Sequence, residues 1–215
     1  MNLVECGKLA RVPLGGTWYR AMVPSYATPV HAIAFAHTKT APTRFNEGHG
    51  GFATLYLAED PMVALFEVEA MLGSPHSTWL PVPGRNWTIL SVSVVLQAIV
   101  DLTRALPQAT LGTTVQELTG DWRGYRLRSA IPSVSQPAGV PAPTQELGAA
   151  LYAVDGLEGF LSTSAKVPTH QILIVFPDKL AAGSELVCHD DKGKLIFKIA
   201  PAAARRSRRR PKRSR

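Results

Sequence analysis

Cysteine is nearly absent, with only Cys6 and Cys188 in 215 residues, and neither belongs to a CxxC-like pair. Two distant cysteines cannot build a disulfide framework or a four-ligand zinc site, so the fold must rest on its own apolar core, and a reducing cytoplasm is the expected compartment. Long apolar runs are missing too. No stretch approaches the roughly 18 apolar residues of a membrane span. The first residues lack the charged-then-apolar pattern of a secretory signal, so a soluble protein with no membrane contact is expected. The six histidines, at positions 31, 37, 49, 76, 170 and 189, show no metal-ligand spacing, and no metal is expected. The chain also lacks GxGxxG after a strand, GxxxxGK[ST], HExxH and GxSxG, which removes the usual templates for dinucleotide folds, P-loops, zinc peptidases and α/β-hydrolases. "EGHGGF" (47–52) is rich in glycine, but turn formation explains it as well as phosphate binding does.

Acidic residues are scarce, 16 against 23 Lys and Arg, for a net charge of +7. The excess lies at one end. "RRSRRRPKRSR" (205–215) holds eight basic side chains and no acid, one more than the net excess, so residues 1–204 sum to −1. A short run of like charge with serine and proline reads as a disordered extension. Its alternative reading is a nucleic-acid contact, which would be salt-sensitive and lost with the tail.

Residues 1–204 suffice for one core and are expected to form one domain. "TWYRAMVP" (17–24) reads as a first strand, and the stretch 24–52 as a long structured loop, with "AIAF" (32–35) part of a second element. "FATLYLA" (52–58) places Phe52, Thr54 and Tyr56 on one side of a strand and Ala53, Leu55 and Leu57 on the other. "WTILSVSVVLQAIVDL" (87–102) begins as a strand and continues into a less defined element. "TTVQELTGDW" (113–122) is a short helix, "SAIPSVSQPAGVPAPT" (129–144) a loop or lid, and "TQELGAALYAV" (144–154) a helix. "GFLSTSA", "HQILIVF" and "GKLIFKI" supply strands toward the C-terminus. Strands interspersed with a few helices predict an α+β fold with a central mixed sheet flanked by helices.

One helix raises a chemical question. Asp60 before Pro61 is an N-cap followed by proline at the first helical position, and the apolar pattern predicts a buried helix over 61–72. Glu67 and Glu69 interrupt it. A carboxylate in such surroundings is costly unless it is paired, hydrogen-bonded or protonated, and acids of that kind gather at functional sites. The alternative is that it reaches solvent or pairs with an arginine.

The same stretch carries a resemblance. "RFNEGHGGFATLYLAEDPMVALFEVEA" (44–70) is similar to the R[WF]N…G…LY.A…ALLE block of the RES domain, and "PTQELGAALYAVDGLEGFLSTSA" (143–165) resembles that family's closing helix and G-[IF]-[LY]-x-x-S-A turn. The likeness runs from about 17 to 178. It implies a fold like that of the ADP-ribosyltransferase toxins and an enzyme that consumes NAD+ as substrate, by phosphorolysis or hydrolysis, or by transfer of ADP-ribose to a protein. It further implies a bacterial toxin neutralised by an Xre-type antitoxin, with phosphate a candidate co-substrate and self-association left open. Position by position, Arg44, Tyr56, Glu67 and Ser164 match the family's arginine, tyrosine, glutamate and serine. Ser162, two residues earlier and on the same side of a strand, is the competing choice for the serine. Phe45 replaces a commoner tryptophan, Lys166 stands where arginine often follows "SA", and the basic tail lies outside the pattern.

The implied roles are chemically coherent. Cleaving the nicotinamide–ribose bond passes through an oxocarbenium-like transition state, which a carboxylate such as Glu67 stabilises while binding ribose hydroxyls. Arg44 grips the diphosphate, Tyr56 offers an aromatic face to nicotinamide and Ser164 a hydrogen bond that orients the substrate. Glu69, which the match does not select, falls back to a solvated or paired surface carboxylate.

Overall fold

The computed structural model describes residues 1–27, 35–48, 51–73, 77–129, 140–190 and 192–201. Most of "AIAF", the centre of the 129–144 loop, His31, His49, His76 and the basic tail lie outside these residues. In chain order the regular elements are β1 (Val12–Met22), β2 (Leu55–Ala58), α1 (Pro61–Glu67), β3 (Met71–Gly73), β4 (Trp79–Pro81) and β5 (Thr88–Asp101). They continue with α2 (Ala105–Leu111), α3 (Val115–Thr119), α4 (Trp122–Ser129), α5 (Pro143–Ala153), β6 (Gly159–Thr163), β7 (Gln171–Val175), β8 (Glu185–His189) and β9 (Leu195–Ile199). The fold is the expected α+β domain around a mixed sheet.

The strand order is β1-β2-β7-β6-β5-β8-β9, and β1 also pairs with β5. Five strands therefore close on themselves, with β8 and β9 continuing beyond β5. The β1–β5 ladder runs from Val12↔Ile99 to Met22↔Thr88, whereas β1 and β2 meet only at Tyr19↔Ala58. β5 and β6 are the one parallel pair among the described strands. Period-two alternation then assigns the faces. Leu55, Leu57, Leu90, Val92, Leu161 and Leu173 fill the interior of the closed sheet, while Tyr56, Phe160, Ile172 and Ile174 face outward against Phe45, Leu118, Leu147 and Leu151 of the covering layer.

Three expectations are corrected. The stretch 87–102 holds one continuous strand, Thr88–Asp101 of 14 residues, because inward-facing apolar residues alternate through most of its length and the Gln97 and Ala98 N–H groups find a carboxylate, that of buried Glu158, instead of a ladder partner. The helix predicted over 61–72 ends at Glu67. Ala70 N–H bonds to Leu65 O at 2.9 Å and Glu69 N–H to Phe66 O at 3.0 Å, with Glu69 at φ 58, which is a Schellman turn. The apolar residues past it serve β3, since an apolar run does not itself distinguish helix from strand. "FATLYLA" is a strand only from Leu55, although its alternation holds. Elements not anticipated are α2, α4, β8 and the β3–β4 hairpin. Cys6 and Cys188 are both free and buried, and among the described residues no helix is long and apolar enough to cross a membrane.

Candidate active site

The segment carrying Arg44 is fixed from several sides. Thr43 N–H bonds to Asn46 O at 2.7 Å, and the fully buried Asn46 amide donates to Thr38 O and Phe52 O while accepting from Gly48 N–H. Gln145 of α5 donates to Thr43 O at 2.9 Å and Asn46 O at 3.3 Å. α5 approaches so closely that a β-carbon on Gly148 would stand 1.9 Å from Phe45 O. From the sheet, the Tyr56 hydroxyl lies 2.9 Å from Thr43 Oγ1 and accepts from Phe45 N–H at 3.1 Å. The residues on both sides of Arg44 are thus tied to one phenol. Arg44 itself donates through Nη1 to Gly120 O at 2.5 Å and Leu118 O at 3.4 Å, satisfying carbonyls at the C-terminal end of α3. Burial lowers the pKa of its guanidinium, an effect that the charge of Glu67 opposes.

Glu67 is placed by a short helix with a firm start. The Asp60 carboxylate accepts from Met62 N–H at 2.7 Å and Val63 N–H at 3.4 Å, with Pro61 at the first helical position, and α1 presents Glu67 as its last residue. The Ser164 hydroxyl donates to Glu67 Oε1 at 2.5 Å and accepts from Val167 N–H at 2.9 Å and Lys166 N–H at 3.2 Å. A hydroxyl has one proton and two lone pairs. With both lone pairs engaged by backbone N–H groups, the proton is left for the carboxylate. Ser162 does not share this place. β6 ends at Thr163, so Ser164 has left the strand alternation, and the buried Ser162 Oγ has no hydrogen-bond partner among the described residues.

Two cavities meet at Glu67. The first, about 170 Å³, is lined by Tyr19, Arg20, His37, Tyr56 and Glu67, among others. The second, about 310 Å³, is lined by Arg44, Tyr56, Glu67, Glu69, Trp122, Arg123 and Lys166, among others. Tyr56 and Glu67 belong to both walls, whereas Ser164 lines neither and acts from behind the carboxylate. The four residues singled out from the sequence are therefore brought together, three on cavity walls and one as their support. Sequence reasoning missed Arg20, a β1 residue on the wall of the first cavity, whose position alternates with Trp18 and Met22 on the inner face of the sheet. Its guanidinium has no hydrogen-bonded partner among the described residues, and burial lowers its pKa to about 10. The only signal was a charge inside the apolar strand "TWYRAM". Among the described residues no cluster of His, Cys, Asp and Glu could hold a metal ion.

No curated protein matches the chain. Among solved structures, a chain of the M. tuberculosis MbcT–MbcA toxin–antitoxin complex superposes with a TM-score of 0.58 at 17% sequence identity, covering 92% of this chain and 91% of that one. At that identity the likeness concerns the fold. A family model, that of the RES domain, matches residues 17–198, which extends the resemblance seen in the sequence through β8 and β9. With that match spanning most of its length, the chain belongs to the RES-domain family.

Proposed function

We propose that the chain is an NAD+-degrading toxin that cleaves the nicotinamide–ribose bond, built on an ADP-ribosyltransferase-like scaffold. The observation that carries this reading is the Ser164-held carboxylate of Glu67 at the junction of two cavities, with Arg20 on one side and Arg44 on the other. NAD+ presents a cationic leaving group, a ribose and a diphosphate, and these three needs correspond to an aromatic ring, a carboxylate and a guanidinium. Tyr56 lies between the cavities to face the nicotinamide. As the C1″–N bond breaks, its electron pair leaves with nicotinamide and neutralises the ring, so the departure needs no general acid. The cation left on the ribose is stabilised by Glu67, whose orientation the Ser164 hydrogen bond fixes in advance. Arg44 holds the diphosphate.

Arg20 suits the attacking group. A half-buried guanidinium on the wall of the first cavity, without an anionic partner among the described residues, favours an anion nearby, and inorganic phosphate there would attack C1″ to give ADP-ribose 1″-phosphate. NAD+ is accordingly a substrate, and the reaction uses no resident cofactor. That the fold is shared with a chain from a toxin–antitoxin complex supports neutralisation by a protein antitoxin, of the Xre type that the family resemblance implies.

The test is NAD+ turnover followed by phosphorus NMR in phosphate-containing and phosphate-free buffer. Phosphorolysis predicts ADP-ribose 1″-phosphate only when phosphate is present. Free ADP-ribose in both buffers would indicate hydrolysis, and label appearing on a protein would indicate transfer. Intact NAD+ under every condition, with a folded protein, would contradict the proposal.

A further inference from the structure

α1 ends on a residue that the backbone does not favour. The left-handed position of a Schellman turn is ordinarily glycine, because a β-carbon is strained there. Here it is Glu69, at φ 58, the one non-glycine residue with positive φ among the described residues. What a glutamate supplies at this point is charge. Its Oε1 accepts from Lys166 Nζ at 3.1 Å and Arg123 Nη1 at 3.3 Å. Lys166 belongs to the turn whose serine holds Glu67, and Arg123 lies on α4 with its guanidinium 5.6 Å from the centre of the Trp122 ring. Glu69, Lys166, Arg123 and Trp122 all line the second cavity with Arg44 and Glu67.

Stability does not account for this arrangement. The side chains remain 43% (Lys166), 55% (Glu69) and 68% (Arg123) exposed, and ion pairs so open to water contribute little. A strained backbone conformation retained for weak surface pairs points to a use for the charges. The two cations sit at the rim of the cavity that opens onto Glu67, and their present partner is a carboxylate of the same chain.

We propose that Lys166 and Arg123 form a phosphate subsite of the second cavity, which Glu69 fills as an internal anion until a phosphate group of the ligand displaces it. Glu69 holds the two side chains over the cavity in the empty protein, so that a phosphate finds them already gathered. Its own charge is secured by the Lys166 hydrogen bond, which lowers its pKa. If the reading of the site as an NAD+-cleaving one holds, the displacing group belongs to the dinucleotide, whose far end then lies beside Trp122. The subsite itself requires only a phosphate-bearing ligand.

The experiment is calorimetric titration of the full chain with inorganic pyrophosphate, which does not depend on turnover. Wild type binds in a salt-sensitive manner, Lys166→Met and Arg123→Met each weaken binding about tenfold, and Glu69→Gly tightens it several-fold. Glu69→Gln is the companion variant that removes the charge and leaves the left-handed strain in place, and it moves affinity the same way. Thermal melts that do not fall show that the fold is intact, and Glu69→Gly, which relieves the left-handed strain, melts higher. Absent pyrophosphate binding, affinity unchanged in the Lys166→Met/Arg123→Met double variant, or weaker binding in Glu69→Gly would each overturn the subsite. With NAD+, the lysine and arginine variants raise KM and leave kcat near wild type. A wild-type protein that fails to cleave NAD+ while showing the pyrophosphate pattern would refute the proposed activity and spare the subsite.

Discussion

Ser164 gives its single proton to Glu67 because two backbone N–H groups occupy the rest of its hydroxyl. Replacing it with alanine frees the carboxylate to rotate and strands two N–H groups. Ser164→Ala is expected to lower kcat by about ten- to a hundredfold with little change in KM, and to lower stability by about 1–3 kcal/mol, measured by steady-state kinetics and urea unfolding. A Ser162→Ala variant with the same kinetic loss would contradict this assignment. Arg20 offers a second test. A half-buried charge without a partner among the described residues opposes folding, so Arg20→Met is expected to raise the stability of the unliganded protein by on the order of 1 kcal/mol. The same variant should lose any acceleration by phosphate. A melting temperature that falls on this substitution would argue that Arg20 is part of the structural framework. The sequence made Arg44, Tyr56 and Glu67 visible through one ordered block. It left Ser162 and Ser164 unresolved because alternation carries no information about where a strand ends, and it left Arg20 unseen because the isolation of a guanidinium depends on what lies across the fold.

At the scale of elements, the site depends on how closely α5 packs on the chain around Phe45. Gly148 permits that approach, and Gly148→Ala is expected to lower stability by about 3 kcal/mol or more and to reduce activity by displacing Arg44. Denaturant unfolding and kinetics on the same preparation check both halves. A variant with wild-type stability would mean that α5 can shift without disturbing Arg44. The sequence announced the start of α1 clearly, because Asp60 and Pro61 are local signals. Its end was misread, since the stop rests on a glutamate in a glycine position and apolar residues continue into β3. The reading of Tyr56 as an aromatic face was incomplete for a related reason. Its hydroxyl works on Thr43 and Phe45, which only the folded register brings within reach.

At the scale of the whole molecule, an α+β domain with a central mixed sheet was legible from the order of strand-like and helical runs. Closure of five strands was not, because the β1–β5 ladder, from Val12↔Ile99 to Met22↔Thr88, joins segments far apart in the chain in a register that local pattern does not encode. β8 escaped notice for want of a long apolar run, although Leu186 and Cys188 alternate inward along it. The strand order sets β1, β2 and β7 side by side, so that Arg20, Tyr56 and Ile172 all border the first cavity, while α1 delivers Glu67 to its wall from outside the sheet. The central claim is that this carboxylate drives loss of nicotinamide. The most direct measurement is nicotinamide release from NAD+ by wild type and Glu67→Gln, followed by proton NMR, with matching circular dichroism as proof of fold. The account predicts steady release by wild type and a loss of about a thousandfold or more in the variant. Release that continues unchanged in a folded Glu67→Gln protein would contradict it.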